Sequence, residues 1–510
     1  MRLPPCLCTL TLIAAAACAQ DATVTVDTER PLAEVDARYL SVAIDLANVV
    51  GGKWWDASAS SEQGRGSGDA EPLALDPQLV ALARNLAPAV LRVGGGEADF
   101  LYYDLDARGA APEGYESRLS VERWDEVHAF AEAAGLDLMF TLNAGPTERD
   151  ARRRWTPDHA RRLLEHAREQ QQRVAVWELG NEVNAFWFFH GWKARVSGKR
   201  YARDYARAQG LVRELAPGAR LAGPAAAFWP VLGEPLGWFF GVTKRFLRRA
   251  EQPVDVVTWH YYPTQSQRCP VAVRRASLGR MLEPRTLNEV QRWAGKLNRW
   301  RDRYQPGAEV WLGETGPAQC GGEPGVSDTF ASGFWFLDQL GSVARFGHRI
   351  QVRQALIGSD YGLVREDTRA PNPDYWNAVL WKRLMGRHVL DAQVAGSDRV
   401  RAYAHATPGR AGSVTVLLLN LADAPRTVRL QGDLGARQAT YAVAAPALES
   451  QALTLNGAPL ALARDGSFAL PDSAPAPADE LVELPPTSYR FLVFPDAGFR
   501  GGLSERLRDE

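Results

Sequence analysis

The segment RVAVWELGNEVN, residues 173–184, is an apolar run that turns abruptly polar at Asn181 and Glu182. A second run, AEVWLGET at 308–315, does the same and delivers Glu314. Both read as short strands covered on both faces, where Val, Leu and aromatics continue with little charge. Working outward, comparable runs recur at 39–45, 89–93, 137–142, 219–222, 254–259 and 350–356. Amphipathic helical stretches lie between them, at 77–86, 123–134, 157–170, 200–215, 287–304 and 329–346. Eight strands, each followed by a helix or long loop, predict an α/β fold of the (β/α)8 TIM-barrel type over residues 39–386.

Beyond residue 386 the texture changes. Short runs at 399–406, 413–420, 426–431, 439–444 and 489–494 are separated by Gly, Pro and Asp turns, which predicts a β-sandwich over 387–496. The early strand at 22–28 has no helix after it, so residues 20–38 are expected to add an edge to that sandwich. The Gly-rich, charged segment 497–510 reads as a mobile tail. At the other end, an apolar run from residue 7 to 17 is too short to span a bilayer and closes on small residues. Ala17-Cys18-Ala19 fits a signal-peptide cleavage site ending at residue 19, and a lipid anchor at Cys18 is the alternative. Either reading makes the protein exported, periplasmic or secreted, with no membrane-spanning segment.

Composition narrows the function classes. With 59 Lys+Arg against 60 Asp+Glu, the net charge of -1 offers no long-range field for nucleic acid. The 16 Trp, 14 Tyr and 18 Phe serve equally as core or as stacking platforms for a sugar. Of five cysteines only Cys269 and Cys320 lie beyond the leader, and no spacing suggests zinc. No motif calls for a metal, nucleotide or flavin, so no cofactor is expected.

A barrel of this type does its chemistry where the strands end, so polar residues just after apolar strands are the informative ones. Glu182 ends the fourth strand and Glu314 the seventh, across the barrel mouth from each other. Cleaving a glycosidic bond with retention needs a carboxylic acid to protonate the leaving oxygen and a carboxylate to attack the anomeric carbon, about 5–5.5 Å apart.

Several segments carry a specific resemblance: YLSVAIDLA (39–47), LARNLAPAVLRVGGGEADFLYYD (82–104), WELGNEVNAF (177–186), VVTWHYY (256–262), VWLGET (310–315) and VRQALIGSDYGLV (352–364). In these the chain resembles the heparanase-like glycoside hydrolase family 79. The resemblance implies a barrel flanked by a β-sandwich and retaining β-glucuronidase chemistry on a glucuronic-acid-containing glycan or glucuronide. It makes Glu182 the acid/base and Glu314 the nucleophile. Asn181 would bond the sugar 2-hydroxyl, Tyr262 would hold the nucleophile, and Asp45 would bind a sugar hydroxyl. His260 and Gln354 would be walls of the pocket. Tyr361, with backbone amides near Gly321 and Gly322, would receive the uronate carboxylate. The Gly94-Gly95-Gly96 run departs from the family's Gly-Gly-Thr and removes a hydroxyl contact. The segment 225–240, AAAFWPVLGEPLGWFF, is apolar where heparanases are basic, while basic stretches stand at 152–154 and 193–200. Exo action on terminal glucuronic acid, endo action on heparan sulfate, and a non-catalytic glycan-binding surface protein are therefore the alternatives. Cys269 and Cys320 follow strands six and seven, neighbours at the barrel mouth, and are expected to form a disulfide.

Overall fold

Eight parallel strands close into a barrel in the order expected of consecutive βα units: Leu40–Asp45, Ala89–Gly94, Leu136–Leu142, Val176–Leu179, Arg220–Phe228, Val256–Tyr261, Glu309–Thr315 and Ile350–Arg353. The computed structural model describes residues 21–51, 73–230, 233–237 and 239–499. The leader, Cys18 and residues 500–510 lie outside the described residues. Among those described, no helix is long and apolar enough to cross a membrane.

Inward-pointing side chains alternate along each strand, and they change character with height. Ala43, Val90, Met139, Val176, Ala222, Val256, Trp311 and Ile350 fill the barrel floor. Two residues further along, on the same side of each strand, stand Asp45, Arg92, Thr141, Glu178 and Thr258. The apolar layer seals the barrel and the polar layer above it supports the mouth. The fifth strand runs on to Phe228, six residues past the 219–222 segment legible in the sequence. Pro224 and the Ala225-Ala226-Ala227 run carry a weak strand signal, because Pro and Ala are both poor β formers.

The second domain is built from both ends of the described chain. Ala22–Asp27 pairs antiparallel with His388–Ala395 and parallel with Arg426–Gln431. Along Gly412–Asn420 the alternation is clean. Val414, Val416 and Leu418 face the domain's own core, whereas Leu417 and Leu419 join the core shared with the barrel. The joint is the helix Phe330–Arg345, whose residues from Phe330 to Ala344 are all buried. Its Asp338 accepts a hydrogen bond from Tyr403 Oη at 2.7 Å, and burial raises the pKa of that carboxyl. The last strand, Ser488–Phe499, carries its pairing to Gly412↔Phe499, so residues 497–499 belong to the sheet rather than to a mobile tail.

Candidate active site

Strand ends four and seven converge as the barrel geometry requires. One carboxylate oxygen of Glu182, one of Glu314 and a ring nitrogen of His260 lie within 4.8 Å of one another. Both carboxylates are buried yet line a cavity of about 680 Å³ at the barrel mouth. Asp45, Asn181, Tyr262, Gln354 and Tyr361 line the same cavity.

Glu182 is held in an unusual backbone state, with φ 50° and ψ 45°. A non-glycine residue in this left-handed region costs about 1–2 kcal/mol. Its N–H donates to Ala225 O at 2.9 Å, and its C=O accepts from Ala185 N at 2.7 Å. The twist turns the side chain into the mouth, where Trp229 Nε1 donates to Glu182 Oε1 at 2.9 Å. Burial pushes the Glu182 carboxyl above its ordinary pKa, and the neighbouring Glu314 adds to the shift against the opposing contributions of His260 and Trp229. A group of this kind keeps its proton where an exposed glutamate has lost it.

Glu314 is surrounded by donors. Tyr262 Oη donates to Oε1 and Arg92 Nη1 to Oε2, each at 2.8 Å. Burial, reinforced by the Glu314 charge, holds the Tyr262 phenol well above its ordinary pKa, so it stays a donor. Arg92 is the hub beneath. Its Nε bonds Glu178 Oε2 at 2.9 Å and its Nη2 bonds Asn181 Oδ1 at 2.8 Å. Burial opposes the charge on Arg92, but Glu178 and Glu314 outweigh it and raise the guanidinium pKa.

His260 departs from its expected place. It is fully buried and is not a cavity wall, but lies beneath the carboxylates, with Nδ1 at 3.5 Å from Glu182 and 3.7 Å from Glu314. Burial lowers its pKa, which keeps the ring neutral. Gly321 and Gly322 also stand outside the cavity lining, which in that loop is made by Gln319 and Cys320. Their carbonyls accept instead from Asp360 N and Arg268 Nη2. On the far wall Gln354 Nε2 donates to Asp45 Oδ2 at 3.2 Å, and the Tyr361 hydroxyl lies 3.5 Å from the same nitrogen. Gly95 permits this arrangement. Its φ is +106°, and a Cβ there would stand 2.6 Å from Asp45 Oδ2.

Arg92, Glu178, Asp99 and Trp229 were not singled out in the sequence. Asp99 accepts from Ala144 N and Asn181 N, and burial raises its pKa to about 7 despite those bonds. A signal for the first two was present. A lone Arg in AVLRVG and a lone Glu in VWEL are charges inside strands covered on both faces, so each must have a buried partner.

Cys269 and Cys320 are joined by a disulfide with Cα atoms 5.5 Å apart, and both line the cavity. The bond closes a loop of sequence separation 51. Its removal by Cys269→Ser is expected to cost about 2–4 kcal/mol in urea unfolding. A shift below about 0.5 kcal/mol would show that the rim does not depend on the bond.

The basic stretches do not line this cavity. Arg154 pairs with Asp150 at 2.6 Å, Arg153 donates to Lys193 O at 3.0 Å, and Arg195 lies over the rings of Trp192 and Phe239. Among the described residues, no Lys or Arg lines the cavity.

Known proteins resemble this chain in sequence and in fold. The model of the N-terminal domain of glycosyl hydrolase family 79 matches residues 21–341. Heparanase of Mus musculus is 30% identical over 531 residues, covering 92% of each chain. Heparanase-like protein 1 of Arabidopsis thaliana is 30% identical over 79% of this chain and 74% of its own. In overall fold the chain is similar to the GH51 arabinofuranosidase from Xanthomonas axonopodis pv. citri, with TM-score 0.64 and 15% identity over 93% of this chain and 100% of that one.

Proposed function

Because the chain belongs to glycosyl hydrolase family 79 and is a glycoside hydrolase, we propose that it cleaves β-glucuronidic bonds with retention of configuration. The observation that carries the mechanism is the close approach of Glu182 and Glu314, within 4.8 Å at their nearest oxygens. That spacing supports direct attack, since retaining enzymes hold their carboxyls about 5–5.5 Å apart and inverting ones about 6.5–9.5 Å apart.

In the first step Glu314 attacks the anomeric carbon and an ester bond forms. The glycosidic C–O bond breaks, and Glu182 gives its proton to the departing oxygen. In the second step Glu182, now a carboxylate, takes a proton from water. The hydroxyl oxygen bonds the anomeric carbon and Glu314 leaves as a carboxylate. Tyr262 and Arg92 hold the nucleophile throughout, and Asn181 is poised for the sugar 2-hydroxyl.

The uronate reading rests on Tyr361. Its neutral hydroxyl would receive a single carboxylate in a cavity whose described lining has no cation. A densely sulfated chain would need cations instead, so heparan sulfate is the weaker candidate substrate. Export, with signal cleavage after residue 19 or lipidation of Cys18, remains part of the proposal and fits the Cys269–Cys320 disulfide.

Two measurements test this reading. Hydrolysis of 4-nitrophenyl β-D-glucuronide should exceed that of the glucoside by at least about 100-fold in kcat/KM, the size of effect a site built for one polar group delivers. Preference for the glucoside would reject the uronate pocket. The pH profile follows from Glu182. Its pKa is raised, so the acid form persists above the ordinary value of 4.5, and activity is lost as pH rises through the shifted value. The alkaline limb of kcat/KM should therefore lie above 4.5 and disappear in Glu182→Gln. A limb that survives this substitution would remove Glu182 as the acid.

A further inference from the structure

Exposed apolar surface is not scattered over this molecule. Of the six exposed large hydrophobic side chains among the described residues, Phe188, Trp192 and Phe239 stand on the loops after strands four and five, and Val271 and Val273 on the loop after strand six. Only Leu32 lies elsewhere. Five of the six therefore ring one mouth, which is where a function rather than chance places them.

The rings form one connected surface. It begins at Trp229, whose indole N–H is given to the Glu182 carboxylate. Phe188 and Phe189 meet Trp229 edge-on at 6.2 and 5.8 Å between centroids. Trp187 stacks on Phe240 at 4.6 Å, which locks the two loops together. Further out Trp192 approaches Phe239 at 6.2 Å, with the Arg195 guanidinium 5.6 and 5.2 Å from their centroids. Val271, beside the disulfide, lines the same cavity from another of its loops.

The direction of this surface has a chemical meaning. The general acid protonates the departing oxygen, so the leaving group occupies the space beside Glu182 rather than beside Asp45, Gln354 and Tyr361. The aromatic surface is continuous with Glu182. A pyranose in that space would bring hydroxyls that need partners; the Phe rings offer none and the Trp229 N–H is already given to Glu182, so partners would have to come from beyond the rings, from lining residues such as His190, Gln265 and Gln319. A flat apolar group would bury its faces against these rings at no such cost.

Resting on the glucuronidase reading, we propose that the leaving-group subsite is an aromatic platform for a planar, uncharged aryl aglycone, which makes aryl and phenolic β-glucuronides the substrate class. Phe188 and Trp192 are its specificity-determining residues, and Val271 flanks the aglycone from the loop after strand six.

The test measures kcat/KM for methyl β-glucuronide, 2-naphthyl β-glucuronide and a β-glucuronosyl-N-acetylglucosamine disaccharide, in the wild type, Phe188→Ala and Trp192→Ala. Comparing ratios between proteins cancels the intrinsic reactivity of each leaving group. The naphthyl-to-methyl ratio should fall by about tenfold in at least one variant, the scale of one aromatic contact. The disaccharide-to-methyl ratio should move by less than about twofold, since little of that contact is made. An unchanged naphthyl ratio in both variants overturns the proposal. So does an equal fall in the disaccharide ratio, which would make the surface a sugar platform. If only glucosides turn over, the uronate reading fails by itself, and the same ratios on naphthyl and methyl glucosides decide the platform. Both side chains are exposed, so neither substitution opens a core cavity.

Discussion

Glu314→Gln is expected to reduce kcat on 4-nitrophenyl β-D-glucuronide by at least about 10⁴-fold while leaving substrate affinity within about threefold, because the nucleophile acts in the transition state and not in ground-state binding. The substitution keeps shape and one carbonyl oxygen, so a hydrogen bond from Tyr262 or Arg92 survives. What disappears is the charge that forms the ester. Binding of an intact glucuronide to the variant, read by calorimetry, separates lost chemistry from lost folding. Turnover equal to wild type would remove Glu314 as nucleophile. A Glu314→Ala variant supplied with azide adds a stereochemical readout. A nucleophile entering from the vacated side gives the α-azide, whereas a product of β configuration would place the missing group on the other face.

The second large effect lies below the carboxylates. Arg92→Met is expected to destabilise the protein by about 3–5 kcal/mol in urea unfolding, the cost of leaving buried charges without their partner. Glu178 and Glu314 both lose a bond to the guanidinium, and Asn181 loses its Oδ1 donor. Activity should fall too, since the fourth and seventh barrel strands are tied through this one side chain. The double variant Arg92→Met with Glu178→Leu distinguishes the cause. Removing the buried partner along with Arg92 should recover part of the stability, because an apolar pair carries no desolvation penalty. Equal destabilisation in single and double variants would assign the loss to packing instead. Recovery of stability without recovery of activity is the expected pattern, because Glu314 would still lack its guanidinium.

These two residues also mark how far the sequence could be read. The barrel was legible because parallel strands are largely apolar and end abruptly, so Glu182 and Glu314 stood out as charges at a boundary. Arg92 and Glu178 did not, because a strand buried on both sides gives no alternation to say which residues point into the barrel. Trp229 was hidden by the early truncation of the fifth strand at Pro224, which left its neighbourhood looking like loop. The positions of His260, Gly321 and Gly322 turned on a few ångströms of depth. Residues adjacent in sequence to a cavity wall can lie just behind it, and spacing alone carries no information about that. The aromatic run at 225–240 was legible as composition, but its continuity with Trp187 and Trp192 depends on two loops meeting in space.

The strand Ala22–Asp27 has a consequence for the order of assembly. Its partners begin at residue 388, more than 350 positions downstream, so during synthesis the first strand waits for nearly the whole chain. Closing a loop of that length early would be slow as well as entropically costly. In the folded protein the chain between this strand and the barrel is tied to the same downstream segment, Leu32 N donating to Val389 O and Val35 N to Arg387 O. The sheet that receives the first strand can therefore be completed only after residues His388–Ala395 have been made.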